Sequence, residues 1–69
     1  MERAYKVYFP PRSAPDVDKS DFLNLRAVAI SPERAIEVVR KMLERLDSSL
    51  GMNAPERDTS RWYAEEIEL

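Results

Sequence analysis

Between Ala4 and Phe9 the chain alternates, with Tyr5, Val7 and Phe9 on one side, Lys6 and Tyr8 on the other, and Pro10-Pro11 ending the pattern. A period of two predicts a strand over 4–9, because successive side chains of an extended chain point to opposite faces. Prolines, aspartates and serines then fill 10–21 without any period, so this segment reads as a loop, long for a small domain. Alternation resumes over 22–30, where Leu23, Leu25, Ala27 and Ala29 share one side and Asn24, Arg26, Val28 and Ile30 the other. That is a second strand.

The period changes at Ser31-Pro32-Glu33. Serine can accept a hydrogen bond from a free N–H of a first helical turn, proline suits the first helical position, and glutamate favours the positive end of the helix dipole. A helix over 32–47 is therefore expected. At 100° per residue, Ala35, Ile36, Val38, Val39, Met42, Leu43 and Leu46 fall within one arc of about 160°, opposite Glu33, Glu37, Arg40, Lys41 and Glu44. Gly51 offers a stop, and the polar stretch 52–60 with Pro55 reads as a second loop. Residues 61–68 close the chain as a third strand, with Tyr63, Ile67 and Leu69 assigned to one face and Trp62, Ala64, Glu66 and Glu68 to the other.

Strand, strand, helix, strand in 69 residues implies one ββαβ domain of the α+β class spanning 1–69. A right-handed crossover through the helix docks the third strand beyond the first, giving a three-stranded antiparallel sheet of order 2-1-3 with the helix on one face. The core is assigned to Tyr5, Val7, Phe9, Leu23, Leu25, Ala27, Ala29, Tyr63 and Ile67 from the sheet. Ile36, Val39, Met42, Leu43 and Leu46 complete it from the helix. Both loops fall at the same end of the sheet.

One helix leaves the opposite sheet face uncovered. On this assignment it carries Tyr8, Val28, Ile30 and Trp62, rimmed by Lys6, Arg26, Glu66 and Glu68, a composition that fits a protein interface. The same residues also read as cross-strand pairs of a solvated sheet, Lys6 or Arg26 against Glu66 or Glu68. Glu65, Glu66, Glu68 and the terminal carboxylate form an acidic end able to imitate phosphates in a partner's basic groove. Alternatively it simply aids solubility, with Arg3 neutralising part of it.

Composition mainly excludes. Without Cys or His the chain lacks disulfides, thiolate chemistry, the commonest metal ligand and the commonest general base. No His stands ready to activate its serines, and Gly51 is its one glycine, so neither a triad nor a phosphate-cradling loop is expected. Asp16-Val17-Asp18-Lys19-Ser20-Asp21 begins like a calcium loop but has Asp21 where glycine is needed and Ala27 where glutamate is needed. Glu66 and Glu68 would stand about 6.6 Å apart along a strand, near the carboxylate spacing of inverting glycosidases, but a sheet with one helix has little cleft to offer. The expectation is no catalysis, no cofactor and no metal.

Eleven Lys and Arg against thirteen Asp and Glu leave a net charge of −2, which by itself favours neither nucleic acid nor a membrane. The sheet aromatics suit base stacking, yet Lys6, Arg26 and Arg61 are matched by Glu65, Glu66 and Glu68, so direct nucleic-acid binding is disfavoured. The first residues show no apolar leader region and no run approaches a membrane span, so a soluble cytoplasmic protein is expected.

Residues 27–44, Ala-Val-Ala-Ile-Ser-Pro-Glu-Arg-Ala-Ile-Glu-Val-Val-Arg-Lys-Met-Leu-Glu, carry a strand of small residues into a helix through Ser-Pro-Glu. With the short acidic strand at the end, this layout resembles small accessory proteins of phages and mobile elements, anti-CRISPR proteins among them. The resemblance implies a non-enzymatic inhibitor that binds and blocks a host nucleic-acid-processing complex. Its protein-binding residues would be Tyr8, Arg26, Val28, Ile30, Trp62, Glu65, Glu66 and Glu68. An alternative is a homodimeric accessory subunit paired through the open sheet face; a third is a weak nucleic-acid binder.

Overall fold

The computed structural model describes residues 1–51 and 57–67, so Glu68, Leu69 and part of the expected second loop lie outside the described residues. Three strands, β1 (Arg3–Phe9), β2 (Leu23–Ala29) and β3 (Tyr63–Ile67), form an antiparallel sheet in the order β2-β1-β3. One helix, α1 (Pro32–Ser49), follows β2, and a single 3-10 turn at Lys19–Asp21 interrupts the first loop. The expected α+β architecture is the observed one.

The helix starts where its sequence favours a start. Ser31 Oγ accepts the Arg34 N–H at 3.2 Å, and Pro32 opens the first turn. At the other end Gly51 takes φ of 76° and donates its N–H to the Ser48 carbonyl at 3.0 Å, a conformation that suits a residue without Cβ. The helix runs two residues beyond the expected Asp47, to Ser49.

Between sheet and helix the core is small. Tyr5, Val7 and Phe9 from β1 meet Ala27 and Ala29 of β2, Ala35 and Val39 of α1, and Trp62 just before β3. Val7 and Val39 have no exposed surface. The alanines on both elements let the helix approach closely, and Ile36, Leu43, Leu25 and Ala64 close the margins.

Two parts of the expected core are corrected. First, β3 presents the opposite face to that assigned: Val7 stands beside Ala64 and Tyr8 beside Tyr63. Trp62 is therefore buried, 8% exposed, with its ring 5.1 Å from that of Phe9, and it does not belong to the open face. Tyr63 and Ile67 are half-buried on that open face instead. The segment from Trp62 to Ile67 has apolar residues at both parities, and a shift of one residue moves every side chain across the sheet. The Phe9–Trp62 contact decides between them. Second, Leu23, Met42 and Leu46 are about half exposed, at 51%, 50% and 52%. The sheet covers only part of the helix's apolar arc and in exchange buries Asp47.

Candidate functional site

Register divides the open sheet face into three cross-strand rows. Val28, Ala4 and Ile67 form an apolar row, Arg26, Lys6 and Glu65 a charged one, and Asn24, Tyr8 and Tyr63 an aromatic one. Within the expected interface, Tyr8, Arg26, Val28 and Glu65 thus do share a face, with Ile30 exposed just past the end of β2. Glu66 does not: it stands beside Tyr5 on the helix side and pairs with Arg3 at 2.9 Å. Trp62 is in the core and Glu68 lies outside the described residues.

The aromatic row is not bare. Tyr8 and Tyr63 stack with centroids 4.7 Å apart, and Phe22, buried at the mouth of the first loop, packs 6.2 Å from Tyr63. Lys19 lies over Tyr63 at 5.2 Å and Arg61 over Phe22 at 5.3 Å. Arg61 also donates to the carbonyls of Pro15 and Val17, clamping the first loop beside the entry to β3. Burial, with Glu65 and Tyr8 nearby, raises the Tyr63 hydroxyl above its ordinary pKa. These rings are a satellite core under a folded loop, which leaves them poorly placed to stack on a base.

Helix α1 separates two different flanks. On the side toward β3 the residues are polar and fully engaged. Asp47, 7% exposed, accepts from Arg57 Nε and Nη2 at 3.0 Å each and from Arg12. Glu44 accepts the Arg57 backbone N–H at 3.1 Å and pairs with Arg40 at 2.9 Å. The Arg57 hydrogen bonds hold the Asp47 carboxyl below its ordinary pKa despite burial, and the Arg57 N–H does the same for Glu44. Arg12 comes from the first loop and Arg57 from the second, so this cluster ties both loops to the helix at one end of the sheet.

The flank toward β2 is the reverse. Val38, Met42 and Leu46 recur every four residues at 40%, 50% and 52% exposure; the 100° helical turn puts them on the side away from Asp47 and Glu44, which a right-handed crossover directs toward β2. β2 is an edge strand of the sheet, with Leu23 half exposed at its start. Between strand and helix lies an open groove of about 940 Å³, walled by Phe9, Phe22, Leu23, Leu25, Leu43 and Pro11, with Arg12, Arg57, Ser13 and Asn24 completing it. Seven unbroken pairs join β2 to β1, so the strand is regular, and alternate residues turn their N–H and C=O groups to its outer side, where no described strand pairs with them.

The sequence assigns Leu23, Met42 and Leu46 to the core, which hides the edge. The signal was present in the width of the arc: about 160° of apolar helix surface is more than one narrow sheet covers. Comparison with family models, curated proteins and solved structures finds no match to this chain. Among the described residues no helix is long and apolar enough to cross a membrane.

Proposed function

We propose that this protein is a non-enzymatic protein-binding module that docks its partner along the edge formed by β2 and the adjoining flank of α1. One observation carries the reading: Leu23, Val38, Met42 and Leu46 are large and 40% or more exposed, and Leu23 walls an apolar groove at the edge of β2, which among the described residues pairs with no second strand. Grouped exposure of this kind marks interaction surfaces, whereas isolated exposed apolar residues need no explanation. A free edge adds directional main-chain hydrogen bonds, and the groove adds side-chain selectivity, the two components of recognition by strand addition. The absence of His and Cys from the chain argues in the same direction, against an enzyme.

This reading moves the interface away from the acidic end. Glu65 stands beside Lys6, and Glu66 is engaged by Arg3, so among the described residues that end is partly neutralised. Blocking of a nucleic-acid-processing complex, the narrower role implied by the phage-type resemblance, would then work through shape and apolar contact more than through phosphate mimicry. A photo-crosslinking residue placed at Leu46, and another at Arg34 on the solvated face, tests the edge in cells. Adducts to protein, a second copy included, are expected from position 46 alone; equal labelling from both sites, or none, would overturn the assignment.

A further inference from the structure

Resting on that protein-binding reading, we infer that the occupant of the edge is a second copy of this chain, joined β2 to β2 antiparallel about a two-fold axis. The sheet has two edges, and they differ. β3 is five residues long and carries Glu65 and Glu66, the usual protection of an edge against pairing. β2 is seven residues long with Arg26 as its one charge, and it contains neither proline nor a bulge.

A partner that satisfies the whole β2 edge must bring a strand and, beside it, an apolar helical stripe at matching height. This chain presents that pair. From Pro32 to Met42 the helix rises roughly 15 Å at 1.5 Å per residue. From Ala29 back to Leu25 the strand covers about 13 Å at 3.3 Å per residue, so Met42 lies nearly abreast of Leu25. An axis through Leu25 therefore also passes Met42, setting Met42 against its own copy and Val38 against Leu46 of the second copy. Isologous contacts of this kind need one self-complementary patch and close after two subunits.

Charge selects the register. With the axis at Leu25, Asn24 faces Arg26 of the second copy and Leu23 faces Ala27, an amide against a guanidinium and a large side chain against a small one. An axis one residue further along would set Arg26 directly against Arg26, which is unfavourable for like charges on opposed strands. The product is a six-stranded sheet with both helices on one face and one groove at each end of the paired strands. It also enlarges the buried core of a domain that is small on its own.

Sedimentation equilibrium and light scattering on the full chain test the inference. The expected mass is twice the 8.0 kDa of one chain, falling toward one chain on dilution. Met42→Glu with Leu46→Glu, both at exposed positions, should raise the dimer dissociation constant at least tenfold while circular dichroism stays unchanged. Met42→Cys introduces the one thiol of the chain, and a short bis-maleimide should link it to its copy in high yield; Glu33→Cys, on another helix face, should not link. A wild-type chain that stays monomeric at millimolar concentration overturns self-pairing. If position 46 nevertheless crosslinks selectively to a different protein in cells, the binding edge stands and only its occupant was wrong. A dimer indifferent to both glutamates overturns the β2 geometry.

Discussion

The two flanks of α1 are built from the same helix and face the same sheet, yet one is closed and the other open. Toward β3 the chain brings back Arg57 and Arg12 to meet Asp47 and Glu44, and polar residues end the core without exposing apolar surface. Toward β2, Arg12 and Arg57 reach only the groove at the start of the strand, while Val38, Met42 and Leu46 remain exposed. A flank sealed by its own loops contributes to folding, because its hydrogen bonds exist only when both loops are docked. A flank left apolar contributes to association, because its free energy is released only when something covers it. Domains this small have little surplus stability, so unsatisfied apolar surface on one side and a tightly satisfied polar cluster on the other are best read together.

The sharpest way to break the comparison is to remove the core that both flanks share. Phe9→Ala deletes the ring packed on Trp62 and should cost about 3–5 kcal/mol, enough to leave a domain of this size largely unfolded. A cooperative urea transition with a nearly unchanged midpoint would mean that Trp62 is not a core residue.

Next comes the sealed flank. Asp47→Asn keeps the shape but removes the charge that holds Arg12 and Arg57, so the melting temperature should drop clearly and both loops should become protease-sensitive. Loss of stability without loop exposure would show that the cluster does not dock the loops. The same flank should give an acid-sensitive limb. Asp47 and Glu44 have folded pKa values lowered from 3.8 and 4.5, so their contribution is complete above those values. It is lost as pH falls below them and through the folded values. Urea titrations at pH 7 and pH 3 should differ, and Asp47→Asn should reduce that difference.

Tyr63 adds a smaller effect of opposite sign on the open sheet face. Its pKa is raised from 10.0, so the neutral ring is the form the fold prefers, and that preference is lost as pH rises above 10 through the folded value. Tyr63→Phe should weaken the alkaline dependence while keeping the stack on Tyr8. Smallest of all for folding is the open flank. Leu46→Lys at concentrations where the chain is monomeric should change stability by no more than about 0.5 kcal/mol, while the same change on the sealed flank's side of the core would not be tolerated. A large loss in the dilute monomer would mean that Leu46 already packs against the chain itself.

Much of the fold was legible along the chain. The alternation of β1 and β2, the Ser31-Pro32 start, the Gly51 stop and the sheet order all follow from local periodicity, capping chemistry and the handedness of crossovers, which act over short stretches. The candidate edge was much less legible. Trp62 to Ile67 reads equally well with either face inward, and the wide apolar arc of α1 does not reveal which part of it the sheet will cover. Asp47 ends the expected helix, and nothing in the local sequence marks it as a buried anchor.

Sequence alone therefore determined which elements form and in what order they lie, because backbone hydrogen bonding, helix caps and the period of apolar residues are local properties. Tertiary structure decided which face of β3 turns inward, through the packing of Trp62 on Phe9. It also decided how far α1 rolls on the sheet, through Arg12 and Arg57 reaching Asp47 from loops that are 35 and 10 residues away along the chain. The Phe9–Trp62 and Arg12–Asp47 contacts join distant parts of the chain, and no local period of the sequence encodes them.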